Sequence, residues 1–584
     1  MRAFLAGRAS RAVLCSALIV TAISSRGPVA VEAQEPAMRW DGLIELVSGR
    51  NETPPPSLNP PIPADGPSQM SRHAVSGDGR YVVFTANAPA LGSYNAPALY
   101  LRDRRLSDTR MLFTGADTTA LRDAVISEDG RYIAFTMCEP WMRPDYAPIC
   151  DVWVFDTQMG SFSPLSVAPQ TGEFGNGNSD EPVLSRDGRF VVFRTAATNL
   201  ATGVPAGVPQ LVIKDRDPDR NGIYDEPGPN TFQIVSAPKG AAGTVPGNGP
   251  SATAEVSENG RYIAFRSAAS NLVPGDTNGA WDVFRRDRMA RDTRRLNLQV
   301  TGGQSPHAID SPGISMTSDG RYVAFASADP MLAPAPFDDT NSVRDVYVFD
   351  AQSFSVQRVD VGRLSYASGM LVPGSGPTEW PTLSADGRYV SVQSAAMNVD
   401  NAPPPNSTHT YVVDRFLKTA TRVSIKPDGT DPDHSCVQPQ ISADGSLVAF
   451  VSQAFNLTPN AYNDADRVYA AVHLEITPHE QSVPGGAGGA ATYNVVTQQH
   501  TPWWIDWYQW QPWTDFETPP MGWGSGMLKI RANQANPDPT PRTATIKVFE
   551  QSVLFTQLAG LSLTAISPTQ GPGTGGTQVT FTGT

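Results

Sequence analysis

Apolar and polar positions along this chain do not fall at helical spacing. Beyond about residue 33, short apolar runs rich in Val, Ile, Tyr and Phe recur between clusters of Gly, Pro, Asn and Asp. Some runs alternate with polar residues. Others, such as Tyr81-Val82-Val83-Phe84, are apolar throughout, which suits a strand buried on both faces. The pattern predicts an all-β chain with many turns. The 50 glycines and 52 prolines are spread along the sequence rather than gathered in one tract, so they mark turns and not disorder.

One pattern repeats seven times: Ser-x-Asp/Asn-Gly-Arg-aromatic-Val/Ile-x-Phe, at 76–84, 127–135, 185–193, 257–265, 317–325, 384–392 and 442–450. The fifth copy opens on Thr317, and the sixth ends on Val392. The seventh has Ser446 and Leu447 where Arg and an aromatic stand elsewhere. Asp-Gly and Asn-Gly supply the positive φ of a tight turn, and the Ser and Asp oxygens can satisfy its amides. Each copy is followed by further strand-like runs, such as Asp151-Val152-Trp153-Val154-Phe155-Asp156 and Thr421-Arg422-Val423-Ser424-Ile425. That is roughly four strands per repeat, one propeller blade. The last blade lacks its final strand. A run of the right type, residues 43–47, precedes the first motif and is expected to complete it, closing the ring and hiding two sheet edges.

These motifs, Ser384-Ala385-Asp386-Gly387-Arg388-Tyr389-Val390 among them, resemble the WD-like propeller repeats of the TolB family. The resemblance covers residues 42–472 and implies a seven-bladed β-propeller over 41–472. It says little about activity, because propellers of this type serve as binding platforms and as non-catalytic caps on enzymes.

Composition changes near Leu474. Residues 473–560 hold a Gly/Ala patch at 484–489 and an aromatic cluster of Trp503, Trp504, Trp507, Tyr508, Trp510, Trp513 and Trp523, then strands at 527–532 and 545–549. This region resembles a BACON domain, a small immunoglobulin-like β-sandwich. Residues 561–584, with Ile566-Ser567-Pro568 and Gly575-Gly576-Thr577, resemble the opening of an IPT/TIG immunoglobulin-like domain. The match stops where such a domain continues, so a longer natural chain is expected.

Residues 1–33 read as a secretory signal. Arg2, Arg8 and Arg11 precede an apolar stretch at 12–23, too short to span a bilayer comfortably, and Val31-Glu32-Ala33 offers small residues before a cut after Ala33. Net charge is −13; removing four arginines and one glutamate with the signal takes away +3 and leaves −16. That sign argues against nucleic acid as a partner. No later run is apolar enough to cross a membrane, so the protein is expected to be secreted or periplasmic. Of the cysteines left after cleavage, Cys138 ends one predicted strand and Cys150 begins the next, placing a disulfide across that hairpin. Cys436, beside His434, is expected to be a free buried thiol.

The sharpest local chemistry lies at 215–226. From Asp217, oxygen ligands fall at Asp217, Asp219, Asn221 and Asp225, with Gly222 at the turn and the Ile223 carbonyl after it. That is the spacing of a Ca²⁺ loop, although Gly228 stands where the bidentate glutamate belongs. A structural Ca²⁺ is therefore expected, against the plainer reading of an acidic turn. Two weaker echoes, Asp276/Asn278/Asp282 and Asp339/Asn341/Asp345, recur at equivalent blade positions and read as turn caps. Trp507, Trp510 and Trp513 are candidates to stack on a ligand. There is no Gly-x-Ser-x-Gly elbow and no HExxH. The expectation is an exported, non-enzymatic scaffold for an extracellular or periplasmic protein or glycan. The rival is a propeller hydrolase or lyase acting on polysaccharide or peptide, which a cluster of carboxylates, Arg and Tyr meeting at one propeller mouth would favour.

Overall fold

The computed structural model describes residues 44–49, 64–93, 96–115, 121–138, 149–169, 171–226, 232–309, 313–333, 343–359, 375–396, 408–426, 430–458, 465–478, 480–497, 502–505, 511–519, 521–523, 525–548, 551–560, 563–567 and 580–583. The expected signal at 1–33, Trp507, Trp510, Asp339 and Asn341 lie outside them.

Seven four-stranded antiparallel sheets follow one another along the chain. Blade 1 is typical: Ser68–Gln69 inside, then Tyr81–Ala86, Ala98–Asp103 and Asp108–Thr114 outward. In blade 7 three strands are consecutive, Cys436–Ile441, Leu447–Ser452 and Arg467–Val472, and the fourth is Ile44–Leu46 from the start of the described chain. Its register sets Ile44 against Ala471, Glu45 against Ala470 and Leu46 against Tyr469. The second strand of each blade is apolar on both faces because it is sandwiched between neighbouring blades. Val82, Val83, Phe84, Ile263, Phe265, Val323 and Phe325 are all buried.

The repeated motif is the joint between blades. In blade 1, Ser76 Oγ donates to Asp78 Oδ1 at 2.8 Å and accepts the Tyr81 N–H at 2.9 Å, while Asp78 Oδ1 accepts the Arg80 N–H at 3.0 Å. Arg80 then forks the Asp103 carboxylate at 3.1 and 2.6 Å, at the far end of the third strand, and its guanidinium covers the Tyr81 ring. That ring lies against the motif glycine of the next blade. A Cβ on Gly130 would stand 2.5 Å from Tyr81 Cδ2, and Gly130 also holds φ +74°. The same contact joins Tyr132 to Gly188, Phe190 to Gly260 and Tyr262 to Gly320. Glycine is thus required twice over, for the turn and for the neighbour's ring.

Topology gives the disc two faces. The Asp-Gly turns and the turns between third and outer strands share one, here the turn face. The second-to-third connections and the links between blades share the other, the crossover face. The chain leaves blade 7 through His473 into a two-sheet sandwich. One sheet orders Leu474–Thr477, Ala490–Thr497, Gly526–Ala532 and Thr514–Phe516; the other orders Glu480–Val483, Gln551–Gln557 and Arg542–Val548. Ile476, Tyr493, Leu528, Ile530, Ile546, Val553 and Phe555 form its common core. Leu563–Ser567 and Thr580–Gly583 pair antiparallel after it. Among the described residues the only helix is a single 3-10 turn, Pro89–Leu91, and none is long and apolar enough to cross a membrane.

Candidate functional site: the channel mouth on the crossover face

Innermost strands line the central channel, and most carry a register shift near their start, as between Arg122 and Val125, Asp180 and Val183, and Glu379 and Thr382. A bulge of this kind re-aims a side chain. The residue turned inward holds positive φ: His73 (55°), Asp123 (55°), Glu181 (51°), Thr253 (52°), Trp380 (54°) and Gln438 (56°), one per blade. Gly313 occupies this place in blade 5, where a Cβ would stand 2.8 Å from the Trp380 Cα. Thr and Trp rarely adopt this conformation, so the surrounding ring holds them there.

Side chains at the mouth latch one blade to the next. Glu181 Oε2 accepts the Thr253 N–H at 2.9 Å, Gln393 Oε1 the Gln438 N–H at 2.9 Å, and Gln440 Oε1 the His73 N–H at 2.8 Å. Charges are paired in the same ring. Arg194 forks Asp180 at 2.7 and 2.7 Å and reaches Glu181 at 2.9 Å, and the hydrogen bonds it donates to Asp180 raise its pKa. Arg122, more exposed, approaches Asp180 at 3.3 Å and Asp123 at 3.4 Å. Arg266 meets Thr253 Oγ1 at 3.2 Å and lies near the Trp281 ring, and Arg344 pairs with Glu379. Arg72 and His73 of blade 1 cross the channel to Glu255 of blade 4 at 2.8 and 2.7 Å. Below that bridge lies a cavity of about 70 Å³ lined by Gln440, Thr382, Ser315 and Gly77, with room for a few waters. Ser318 donates to Glu128 at 2.7 Å across its lower end.

The residues singled out from sequence lie elsewhere. Cys138 and Cys150 are bonded. Cys436 is buried, with Sγ 3.4 Å from Ser452 Oγ and 3.8 Å from the His434 carbonyl rather than its ring. Burial pushes its thiol up to about 12, which makes it a poor nucleophile. The acidic loop sits at the rim of blade 3, and its oxygens are already used. Asp217 accepts the Asn221 and Gly222 N–H groups at 3.0 and 3.1 Å; Asp219 accepts Asn221 Nδ2 at 3.0 Å; Asn221 Oδ1 accepts the Ile223 N–H at 2.8 Å. Asp225 is held by Lys214 at 2.9 Å and Arg216 at 2.8 Å. Burial pulls its pKa up, but those two cations outweigh it and hold the carboxyl below its ordinary range. The set does not fit Ca²⁺: two cations stand where the ion's charge would be. Among the described residues no group of three or more His, Cys, Asp or Glu is placed to hold a metal.

Asp276 and Asp282 share Arg295 at 3.2 and 3.5 Å, and Asn278 donates to Asp282, a buried cap at the start of a strand. Trp513 is a correction to the ligand-stacking expectation. It is buried in the sandwich core, stacked on Phe555 with centroids 5.7 Å apart and covered by Arg542. Sequence reasoning missed the mouth. Its trace becomes visible only when the motifs are aligned, because the inward residue stands four places before the motif Ser in all blades but the first.

The ring defines the class: a closed seven-bladed β-propeller followed by a β-sandwich. No protein-family model matches the chain, and no curated protein does. Among solved structures it is similar to oligogalacturonate lyase from Vibrio parahaemolyticus, at 13% identity over 74% of this chain and 98% of that one, with a TM-score of 0.43. It is also similar to TolB from Acinetobacter baumannii, at 12% identity over 82% and 83%, TM-score 0.32. A third is the β-propeller domain of the Trilobed protease from Pyrococcus furiosus, at 10% identity over 66% and 91%, TM-score 0.38. At such identities the likeness concerns the fold alone.

Proposed function

We propose that this is an exported, non-enzymatic binding protein whose propeller presents the crossover-face mouth to a protein or glycan. The sandwich and the strands after it act as accessory BACON-like and IPT/TIG-like modules. One observation carries the reading: the carboxylates at the mouth are committed to holding the ring. Asp180 is forked by Arg194, Glu181 caps a neighbouring blade's amide, and Glu255 is bridged by Arg72 and His73. A general acid or base needs a proton to move at a group free to meet substrate, and a carboxylate in a bidentate arginine pair is not so disposed. What faces outward is recognition chemistry, namely Arg122 and the half-buried Trp380.

The test is binding of the chain lacking 1–33 to arrays of bacterial-surface glycans and peptides, beside an Arg122→Ala/Trp380→Ala variant. A defined ligand lost by at least about tenfold in the variant supports the mouth; equal binding by both refutes it. The rival reading, a hydrolase or lyase, rests on the same gathering of Arg and carboxylates, and turnover of the bound ligand would establish it.

A further inference from the structure

The turn face carries a second pattern. Each of the six turns between third and outer strands holds one exposed large apolar side chain: Leu106 (57%), Met159 (74%), Ile223 (58%), Met289 (62%), Phe354 (58%) and Phe416 (61%). They are six of the seven most exposed large apolar side chains among the described residues, the other being Met527. In blade 7 the chain leaves for the sandwich at this position.

The backbone hydrogen bonds of these turns do not depend on apolar side chains. The turns are held by an aspartate: Asp103 accepts the Arg105 and Leu106 N–H groups, Asp156 those of Gln158 and Met159, and Asp414 those of Phe416 and Leu417. The positive φ is taken by Ser107, Gly160, Arg291 and Lys418. Phe354 takes it itself, at 56°, where blade 2 has glycine. A polar tip would serve the turns at Met159 and Met289 equally well; Phe354, though strained at positive φ, also packs edge-on to Phe349 with Arg294 over its ring.

We infer that the arc over blades 2 to 5, with Met159, Ile223, Met289 and Phe354, seats on the polar–apolar interface of a lipid membrane without spanning it. This arc lies across the ring from blade 7, where the sandwich departs. The four tips stand on four separate blades with polar turns between them. A protein partner draws its affinity from a contiguous buried cluster, which dispersed tips do not offer. A lipid interface accepts all of them at once, and several weak insertions held on one rigid disc add up. Arg186 pairs with Glu258 and Arg294 with Asp292 on this face, and the loop that carries Ile223 is acidic, so apolar insertion and not charge attraction drives the contact.

Flotation with vesicles of phosphatidylethanolamine and phosphatidylglycerol tests this, using the chain without 1–33 at low and high salt. The wild type is expected to float at both. Met159→Ser/Ile223→Ser/Met289→Ser is expected to lose about tenfold in partition while melting as the wild type does. A wild type that stays in solution overturns the inference. So does a variant that floats equally, or binding abolished by salt alone. Self-association of the wild type without flotation, lost in the variant, would assign the arc to protein contact instead and overturn the lipid assignment.

Discussion

Gly130 and Trp513 show how much a single side chain, or its lack, decides in this chain. Gly130→Ala places a methyl into the Tyr81 ring and strains a φ of +74°, so a loss of at least about 2 kcal/mol is expected in urea unfolding. An exposed positive-φ glycine with open space around it, Gly160, costs about 1 kcal/mol for the same change. The difference between the two isolates the inter-blade contact. Trp513→Ala is expected to cost the sandwich about 3–5 kcal/mol, as a core deletion. A neutral effect would return Trp513 to the surface. For the acidic loop, Ca²⁺ is expected to leave the melting midpoint unchanged. A saturable rise, abolished by Asp217→Ala, would mean that the loop rearranges to release Asp225 from Lys214 and Arg216.

Elements were more legible in the sequence than sites, for a physical reason. The strands at 81–86, 262–267 and 322–327 announce themselves because burial on both faces demands continuous apolar runs, and the turns because Asp-Gly is needed for positive φ. The closing strand at 44–46 was legible by counting, since one blade lacked a strand. The mouth was not legible. Asp123 and Glu181 look like ordinary polar residues until a bulge turns them inward, and a bulge leaves no residue signature when non-glycine residues bear the strain. In the acidic loop the spacing of the oxygens was legible but their partners were not, because oxygen positions in sequence do not reveal that Lys214 and Arg216 stand against Asp225.

His473, at the joint between blade 7 and the sandwich, adds a pH dependence at the same scale. Burial lowers its pKa to about 4, below the unfolded value near 6.5. The unfolded chain therefore binds the proton more readily, and stability present at pH 7 is lost as pH falls from about 6.5 toward 4. The full effect is about 3 kcal/mol. In His473→Gln that part of the acid-side slope is expected to vanish in denaturant titrations at pH 7 and pH 4.5.

At the scale of the whole molecule, a ring of seven blades is closed by its own N-terminal strand, plugged by Arg72 and His73 on Glu255, and presents two unlike faces. Residues 44–46 close a loop of more than 400 residues, so their pairing governs the ring's cooperativity more than their three backbone partners suggest. Replacing Glu45-Leu46 by Pro-Pro is expected to expose the outer edge of blade 7, lower the melting midpoint and promote aggregation seen by light scattering. Preserved melting would mean that the ring stands without the closing strand. The central claim, that the mouth binds and does not transform its ligand, is met most directly by mass spectrometry of an array-selected ligand after prolonged incubation with the protein. Recovery of the ligand at unchanged mass, with binding lost in Arg122→Ala/Trp380→Ala, is the predicted result; cleavage products that disappear in an Asp180→Asn or Glu255→Gln variant would contradict it and make the mouth an active site.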